Sequence, residues 1–389
     1  MENLYQDILN ELAEREVLHY ERYCPFYVIS IGCHLFNLWN KGRVLKFHDE
    51  HDGVYFRQAL LVDTRSHVFL VTPSGFGKTF HLRQFLQWPF GLIVDVIPCS
   101  FEGPMTEAAW TGTGTYIDGE PVIIKGAAWE YRYHIVGVEE FSAIVETMQS
   151  STSKTLHPQL LTSLDEGMVR KRLRGQIKLQ YETGITLWTG DRPATFNLAS
   201  GMARRLVFLN FFPTKKDIEA LRESMRRGEN VRANTYRVKH IKETLRQRYK
   251  DIRRIEKLVY DDEVATYLDK LGVMPYEELI YKRLMIGYRV MRGPFSSTLH
   301  IYLDKTLKEL LWREKVWRGQ IRRGADISQV FVILSDHDNK MTKRELLEKL
   351  ADFGLTYVEG SKLLSSMMTT KMIVSQNGYL MPYWRKKRS

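Results

Sequence analysis

The chain has 389 residues, too many for one ordinary hydrophobic core, and its 44% hydrophobic and 26% charged residues exclude a disordered or collagen-like protein. The chain contains 57 Lys and Arg residues and 46 Asp and Glu residues, so its formal net charge is +11. This excess of positive charge favours a polyanionic partner, either nucleic acid or an acidic membrane surface. The sequence contains no apolar run of about 18 residues and no secretory leader pattern, so we expect a cytoplasmic protein that does not enter the membrane.

The pattern of apolar, polar and charged residues changes along the chain and predicts four segments. The first is an N-terminal helical element, because its apolar side chains recur at helical spacing. In the second, short apolar runs rich in β-branched residues alternate with helical patterns, which is typical of an α/β protein whose parallel sheet is covered on both faces. A basic helical lid and a small C-terminal domain follow. The predicted segments are 1–53, 54–225, 226–323 and 324–389.

The C-terminal segment has the pattern of a winged helix-turn-helix, with helices followed by a hairpin. Thr342 and Glu345 have the spacing of a capping box, which opens the second helix. The dipeptide Asn377-Gly378 predicts a type I′ turn between two short strands. The third helix is the expected recognition element, and Lys362 lies on it as a candidate DNA contact.

The segment VFLVTPSGFGKTFHLRQFL predicts a strand, a glycine-rich turn and a helix. Such a turn cradles phosphates with its backbone N–H groups, and the helix N-terminus adds a favourable dipole. We therefore expect ATP to bind here, with the Lys78 side chain reaching the β and γ phosphates and the Thr79 hydroxyl binding Mg²⁺. Thr72 stands where the P-loop pattern asks for its first glycine. The predicted ATP-binding residues are Pro73, Ser74, Gly75, Phe76, Gly77, Lys78, Thr79 and Phe80.

Polar residues at the ends of three later apolar runs complete the predicted catalytic set. After HIVGV, Glu139 would hold the metal through water, and Glu140 would polarise the attacking water. The strand TGITLWTGD ends in Thr189 and Asp191, which would position water between the other two motifs. Two arginines precede the next run, and either could reach the γ-phosphate of a neighbouring subunit; they are Arg204 and Arg205.

In this order the motifs resemble those of an AAA+ ATPase. The chain is most similar to the ATPase core of minichromosome-maintenance helicases, in a reduced form as on archaeal plasmids or viruses. Residues 106–141 resemble the helix-two insert of that family, a β-hairpin that interrupts the second helix, with its turn at Asp118-Gly119. Residues 160–190 resemble a helix followed by the presensor-one hairpin. The resemblance runs from about Val54 to Arg292.

This resemblance implies a hexameric ring that couples ATP hydrolysis to movement along DNA during replication. Both hairpins would point into the central channel and touch phosphates without reading sequence. The family's N-terminal oligonucleotide-binding domain and zinc site have no counterpart here, so ring loading and strand selection are not carried over. Its sensor-two arginine falls near Tyr276, and Arg283 is a substitute candidate that we expect on a helix surface. The candidate DNA contacts of the second hairpin are Lys171, Arg172, Arg174 and Lys178.

Other interpretations remain open. Residues 190–212 also resemble the sensor and arginine segment of superfamily-three viral helicases, which lack a hairpin inside helix two. The chain could instead be a nucleotide-switched DNA-binding or clamp-loading module that separates no strands. The basic stretch 237–257 is either a nucleic-acid contact or an ordinary solvated face, and the C-terminal WRKKRS would add sequence-independent affinity.

Overall fold

The computed structural model divides the chain into two compact units. The first consists of Met1–Arg192 and Gly201–Trp317, and the second is built mainly from Arg318–Ser389. Most residues of the first three predicted segments therefore belong to one unit. The structure describes residues 3–50, 63–73, 77–87, 89–103, 105–118, 120–139, 141, 156–172, 178–191, 204–211, 215–226, 233–275, 277–352, 357–369 and 372–383.

The elements of the first unit alternate between helices and short strands. Its helices are α1 (Leu4–Glu14), α2 (Tyr20–Glu50), α3 (Lys78–Leu86), α4 (Glu107–Thr111), α5 (Ala127–Glu130), α6 (Leu156–Asp165), α7 (Lys215–Arg226), α8 (Thr235–Ile252), α9 (Glu263–Lys270), α10 (Glu278–Arg292) and the beginning of α11 (Lys305–Asp336). Its strands are β1 (His67–Val71), β2 (Cys99–Glu102), β3 (Gly112–Ile117), β4 (Glu120–Lys125), β5 (Ile135–Val138), β6 (Met168–Arg172), β7 (Lys178–Glu182), β8 (Thr186–Asp191), β9 (Leu206–Asn210), β10 (Lys257–Tyr260) and β11 (Thr298–Ile301).

A five-stranded parallel sheet forms the centre of this unit, in the order β2-β5-β8-β1-β9. Every residue of β1, β5, β8 and β9 is buried. Strands that are covered on both faces need apolar side chains on both, which explains why they read as continuous apolar runs and not as alternating patterns. The α/β class with a parallel sheet, predicted from the sequence, is confirmed.

The N-terminal helices belong to this core and do not form a separate body. Helix α2 lies against the sheet, where the Trp188 indole N–H donates to Ser30 Oγ at 2.8 Å. It also crosses α10 at very close range, because a Cβ built on Gly32 would lie 2.3 Å from the Gly287 carbonyl oxygen. A Cβ on Gly287 would lie 2.2 Å from the Ile29 carbonyl oxygen. Both glycines are therefore required for the helices to approach this closely.

A buried polar cluster fixes the amino end of β1. The Arg65 guanidinium pairs with Asp63 and donates to the carbonyl oxygens of Ile185 and Ser163, at 2.6 and 3.0 Å. His67 Nε2–H donates to a carbonyl of α6 at 2.9 Å, and its Nδ1 accepts the N–H of Leu187 at 3.0 Å. Burial lowers the pKa of His67 to about 3, so the ring is neutral and can both donate and accept.

Two antiparallel hairpins lie outside the central sheet, as predicted. Strands β3 and β4 form the first, between α4 and α5, and Asp118 adopts φ +53° at its turn. Strands β6 and β7 form the second, directly after α6. Both hairpins arise locally, from alternating side chains on either side of a turn sequence.

The second unit contains the remaining part of α11, helices α12 (Lys343–Asp352) and α13 (Tyr357–Thr369), and a small antiparallel sheet. The strands are β12 (Met341–Thr342), β13 (Ile373–Gln376) and β14 (Tyr379–Pro382), in the order β12-β14-β13.

The predicted capping box of α12 is confirmed, because the Glu345 N–H donates to Thr342 Oγ1 at 3.3 Å and the Glu345 carboxylate accepts the Thr342 N–H at 2.9 Å. The positive φ angles of Asn377 and Gly378 confirm the hairpin turn.

Helix α11 runs without interruption from Lys305 to Asp336, across position 323, after which we predicted the C-terminal segment to begin. The intervening sequence contains no proline, so nothing stops the helix.

Among the described residues, no helix combines the length and the apolarity needed to cross a bilayer.

The crossing of α2 and α10 gives a stability prediction. We expect Gly32→Ala to lower the free energy of unfolding by about 1–3 kcal/mol, because the new methyl group would overlap the Gly287 carbonyl. Alanine is the better helix former by about 1 kcal/mol, so a loss can only come from the clash. Urea unfolding followed by circular dichroism measures it. Gly319→Ala, in a helix with open space around the new atom, is the control and should not destabilise; equal stabilities would contradict the close crossing.

Candidate functional site

The carboxyl ends of the parallel strands meet at one edge of the sheet. From β1 the chain passes to β2 at the far side, returns through β5 and β8, and then crosses β1 to reach β9. The strand order therefore reverses beside β1. Open α/β sheets bind ligands outside the carboxyl ends of their strands at such a reversal. This edge is the candidate site.

The turn from β1 into α3 carries the predicted phosphate-binding sequence. Gly77 precedes the helix in the left-handed conformation, with φ +80°, which glycine adopts without steric cost. Lys78 is the first helical residue, so the first turn of α3 presents N–H groups that have no partner within the helix. Pro73 and Thr79 are half-buried, and Phe80 is exposed. Ser74, Gly75 and Phe76 lie outside the described residues.

The Lys78 side chain lies along the edge of the sheet. Its Nζ donates to the Thr72 carbonyl at 3.1 Å. Its Cδ passes over Gly190 of β8, where an added Cβ would lie 3.0 Å from that atom and 2.4 Å from the Leu70 carbonyl oxygen. Gly190 thus makes room both for the lysine and for close pairing of β8 with β1. Sequence reasoning missed this residue, although a glycine inside an apolar strand is a recognised sign of close approach.

Strand β8 places its polar residues between the other two motifs. The Thr189 hydroxyl donates to the Val138 carbonyl at 2.9 Å and so joins the ends of β8 and β5. The Asp191 carbonyl accepts the Thr72 N–H at 3.1 Å on the opposite side of β8. Both side chains are buried. Thr189 and Asp191, which we predicted between the glycine-rich turn and the acidic strand end, thus lie between β1 and β5.

Glu139 follows β5 and lies near α3. Its Oε1 is 3.5 Å from Arg83 Nη2 of α3, and about half of each side chain is exposed. A pair this exposed contributes little stability, so the carboxylate stays available to other partners. Arg83 was not singled out from the sequence, because only the fold brings it beside this strand. Glu140 lies outside the described residues.

The two candidate arginines before β9 have different surroundings. Arg205 is buried, with Nη2 2.7 Å from Asp165 Oδ2 and Nε donating to the Leu161 carbonyl at 3.1 Å. Desolvation by burial lowers the pKa of its guanidinium, which nevertheless keeps the carboxylate partner. Arg204 is exposed. Only Arg204 therefore presents its charge to another molecule.

The basic residues of the second hairpin also have different surroundings. Lys171 Nζ lies 2.8 Å from Glu107 Oε1 and ties the hairpin to α4. Arg172 and Lys178 are paired across the hairpin and are exposed. Arg174 lies outside the described residues. Lys362 belongs to the second unit, where it is exposed on α13.

Arg283 does not lie on the surface of its helix, as the sequence led us to expect. It is buried, and its Nε donates to the Asp63 carbonyl at 2.8 Å. That carbonyl belongs to the same residue whose carboxylate pairs with Arg65, so Arg283 extends the buried cluster at the amino end of β1. Its guanidinium is therefore engaged away from the edge where the strands end.

The described residues contain no group of three or more His, Cys, Asp and Glu side chains able to enclose a metal ion. Comparison of the chain with known proteins gives no match, either to a protein-family model or to a curated protein.

The contrast between the two arginines can be tested by stability. Arg205→Ala should lower the free energy of unfolding by about 1–3 kcal/mol, because it removes a buried charged hydrogen bond to α6. Arg204→Ala should change it by less than about 0.5 kcal/mol, as expected of an exposed side chain. Chemical denaturation of the two variants side by side measures this. Similar losses in both would show that Arg204 is also held within the fold.

Proposed function

We propose that this protein is a magnesium-dependent ATPase of the AAA+ type, which assembles into a hexameric ring and couples ATP hydrolysis to movement along DNA. The observation that supports this best is the position of β8 between β1 and β5. It gathers the start of α3, the polar end of β8 and Glu139 at one edge of the sheet. Phosphoryl transfer depends chiefly on such positioning of charges, with little covalent chemistry from the protein.

The residues at this edge fit a triphosphate. The left-handed Gly77 and the N-terminus of α3, where the helix dipole favours negative charge, suit an anion. Lys78 lies at the same place and can leave the Thr72 carbonyl for a phosphate oxygen. The buried Thr72 hydroxyl has no hydrogen-bond partner among the described residues, so it can still form a hydrogen bond with a ligand at the end of β1.

Magnesium would be held by the Thr79 hydroxyl and, through water, by Glu139. When bound it neutralises charge on the transferred phosphate. Glu140 would orient the attacking water. The Thr189 bond to β5 holds the strand ends together, which keeps the acidic residues at a fixed distance from Lys78. Asp191, on the β1 side of β8, would help to position the water.

In the proposed ring, Arg204 is the arginine that reaches the γ-phosphate of the neighbouring subunit, because Arg205 is committed to Asp165. An arginine supplied in this way stabilises charge that develops in the transition state. Exposed Arg172 and Lys178 are the proposed DNA contacts of the second hairpin. Lys171 positions that hairpin against α4. The second unit would be a winged helix-turn-helix that contributes Lys362.

The β3–β4 hairpin favours a helicase of the minichromosome-maintenance type over a superfamily-three helicase. It interrupts a helical segment between α4 and α5, and this interruption is the feature by which the two groups differ. The nucleotide-switched module without strand separation remains as an outcome of the experiment below.

The decisive assay is ATP hydrolysis with and without DNA. Lys78→Ala should reduce the rate by about 10²–10³-fold, since it removes one charge that stabilises the transition state. Glu140→Gln should keep ATP binding and lose hydrolysis. Lys270→Ala, an exposed lysine of α9 remote in sequence from the motifs, is the control and should behave as wild type.

Wild-type protein that hydrolyses no ATP, or rates that neither Lys78→Ala nor Glu140→Gln changes, would refute the enzyme assignment. Hydrolysis without strand displacement on a forked substrate would support the switch and refute the motor.

A further inference from the structure

Helix α8 has one buried face and one basic face. Its buried positions recur every three or four residues, so a single side packs into the first unit. These apolar positions are Val238, Ile241, Leu245 and Ile252. The opposite side contains basic residues at the same spacing, from within the helix to its C-cap. We call them the α8 stripe: Lys239, Lys242, Arg246, Lys250 and Arg253.

The α8 stripe is long and continuous. Lys239 and Arg253 are 14 positions apart in the numbering, which corresponds to about 21 Å at 1.5 Å per residue. Two acidic residues lie inside that interval: Glu243 is exposed, and Asp251 is half-buried, where it accepts from Gln247 and pairs with Arg254. Arg246 and Lys250 are four residues apart, so like charges face each other along the helix and destabilise it when nothing binds between them. A bound polyanion would remove this repulsion.

Neighbouring elements compensate little of this charge. Within the described part of the chain, Lys239, Lys250 and Arg253 make no ion pair. Asp95, from the segment before β2, is the acid that faces the stripe. Its Oδ2 lies 3.4 Å from Lys242 Nζ, and its backbone carbonyl accepts from Arg246 Nη2 at 3.2 Å.

We propose that the α8 stripe binds the phosphate backbone of nucleic acid without reading sequence, at a surface separate from the two hairpins. A row of cations at helical spacing, all exposed except the half-buried Lys242, matches a linear polyanion, and most of the affinity would come from counterion release. Tyr236 is 88% exposed near the start of the same helix, and its ring can stack on an unpaired base. The stripe has no apolar residues to insert into a bilayer, which argues against a membrane surface.

This inference does not depend on ATP hydrolysis, and its test omits nucleotide. Binding of the full chain to fluorescein-labelled single-stranded DNA, duplex DNA and RNA is measured by anisotropy across a series of salt concentrations. The test variant is Lys239→Ala/Lys250→Ala/Arg253→Ala. Its affinity near 0.1 M salt should fall at least about tenfold, and the slope of log affinity against log salt should shrink by about 2–3, which corresponds to three lost phosphate contacts.

The control variant removes the same number of exposed charges elsewhere on the first unit, as Lys216→Ala/Lys270→Ala/Lys305→Ala. It should lose less than about threefold in affinity and keep nearly the whole salt slope, because scattered cations act only through the weak long-range field.

A further variant tests the opposite change, a gain of nucleic-acid affinity. Asp95→Asn removes the negative charge beside Lys242 and Arg246, and asparagine tolerates the φ of +69° at this position. It should raise the affinity two- to fivefold at low salt and leave it nearly unchanged at 0.5 M salt.

Equal losses in the stripe and control variants would overturn the proposal. So would a stripe variant that binds as wild type while Arg172→Ala/Lys178→Ala abolishes binding, because the hairpin would then carry all of it. A stripe variant that keeps its affinity for all three nucleic acids but loses binding to vesicles of anionic lipid would assign the surface to membranes instead.

Discussion

The pairing of β8 with β1 on one side and β5 on the other is the constraint on which the candidate site depends. It requires Gly190, because a larger residue would meet the Leu70 carbonyl and the Lys78 side chain. With β8 in place, Thr189 is tied to the end of β5 and Asp191 to the exit of β1. The start of α3 after β1 and the acidic end of β5 are therefore held one strand apart.

The sheet is in turn supported from its amino end and from one face. Arg65, paired with Asp63, donates to carbonyls of α6 and of Ile185 just before β8, and Arg283 brings α10 to the same cluster. The glycine crossing of α2 and α10 then packs the N-terminal helices against the helices that follow the sheet. Buried arginines of this kind stabilise the fold and take no part in the chemistry that we propose. Among the basic residues that the sequence predicted as contacts of the first unit and that the structure describes, Arg204, Arg172 and Lys178 are the exposed ones.

Much of this architecture could be predicted because it depends on local pattern. The buried strands, the α3 start at Lys78, both hairpins and the capping box at Thr342 follow from neighbouring residues. The parts that sequence reasoning missed depend on contacts between distant segments. Examples are the Arg205–Asp165 and Lys171–Glu107 pairs, and the packing of Gly32 on Gly287. A single sequence cannot show which acidic residue pairs with which basic residue 40 or 60 positions away. Exposed arginines and arginines paired within the fold therefore could not be distinguished from the sequence.

The most direct test of the proposed ATP site is hydrogen exchange of the backbone amides with and without Mg²⁺ and a non-hydrolysable ATP analogue. Nucleotide bound at the proposed edge should slow exchange at the first turn of α3, at Glu139 and at the carboxyl end of β8, all in the same concentration range. The amino ends of the same strands, around His67 and Ile135, should change little. Unchanged exchange at the start of α3, or protection confined to other regions of the chain, would contradict a nucleotide site at this edge.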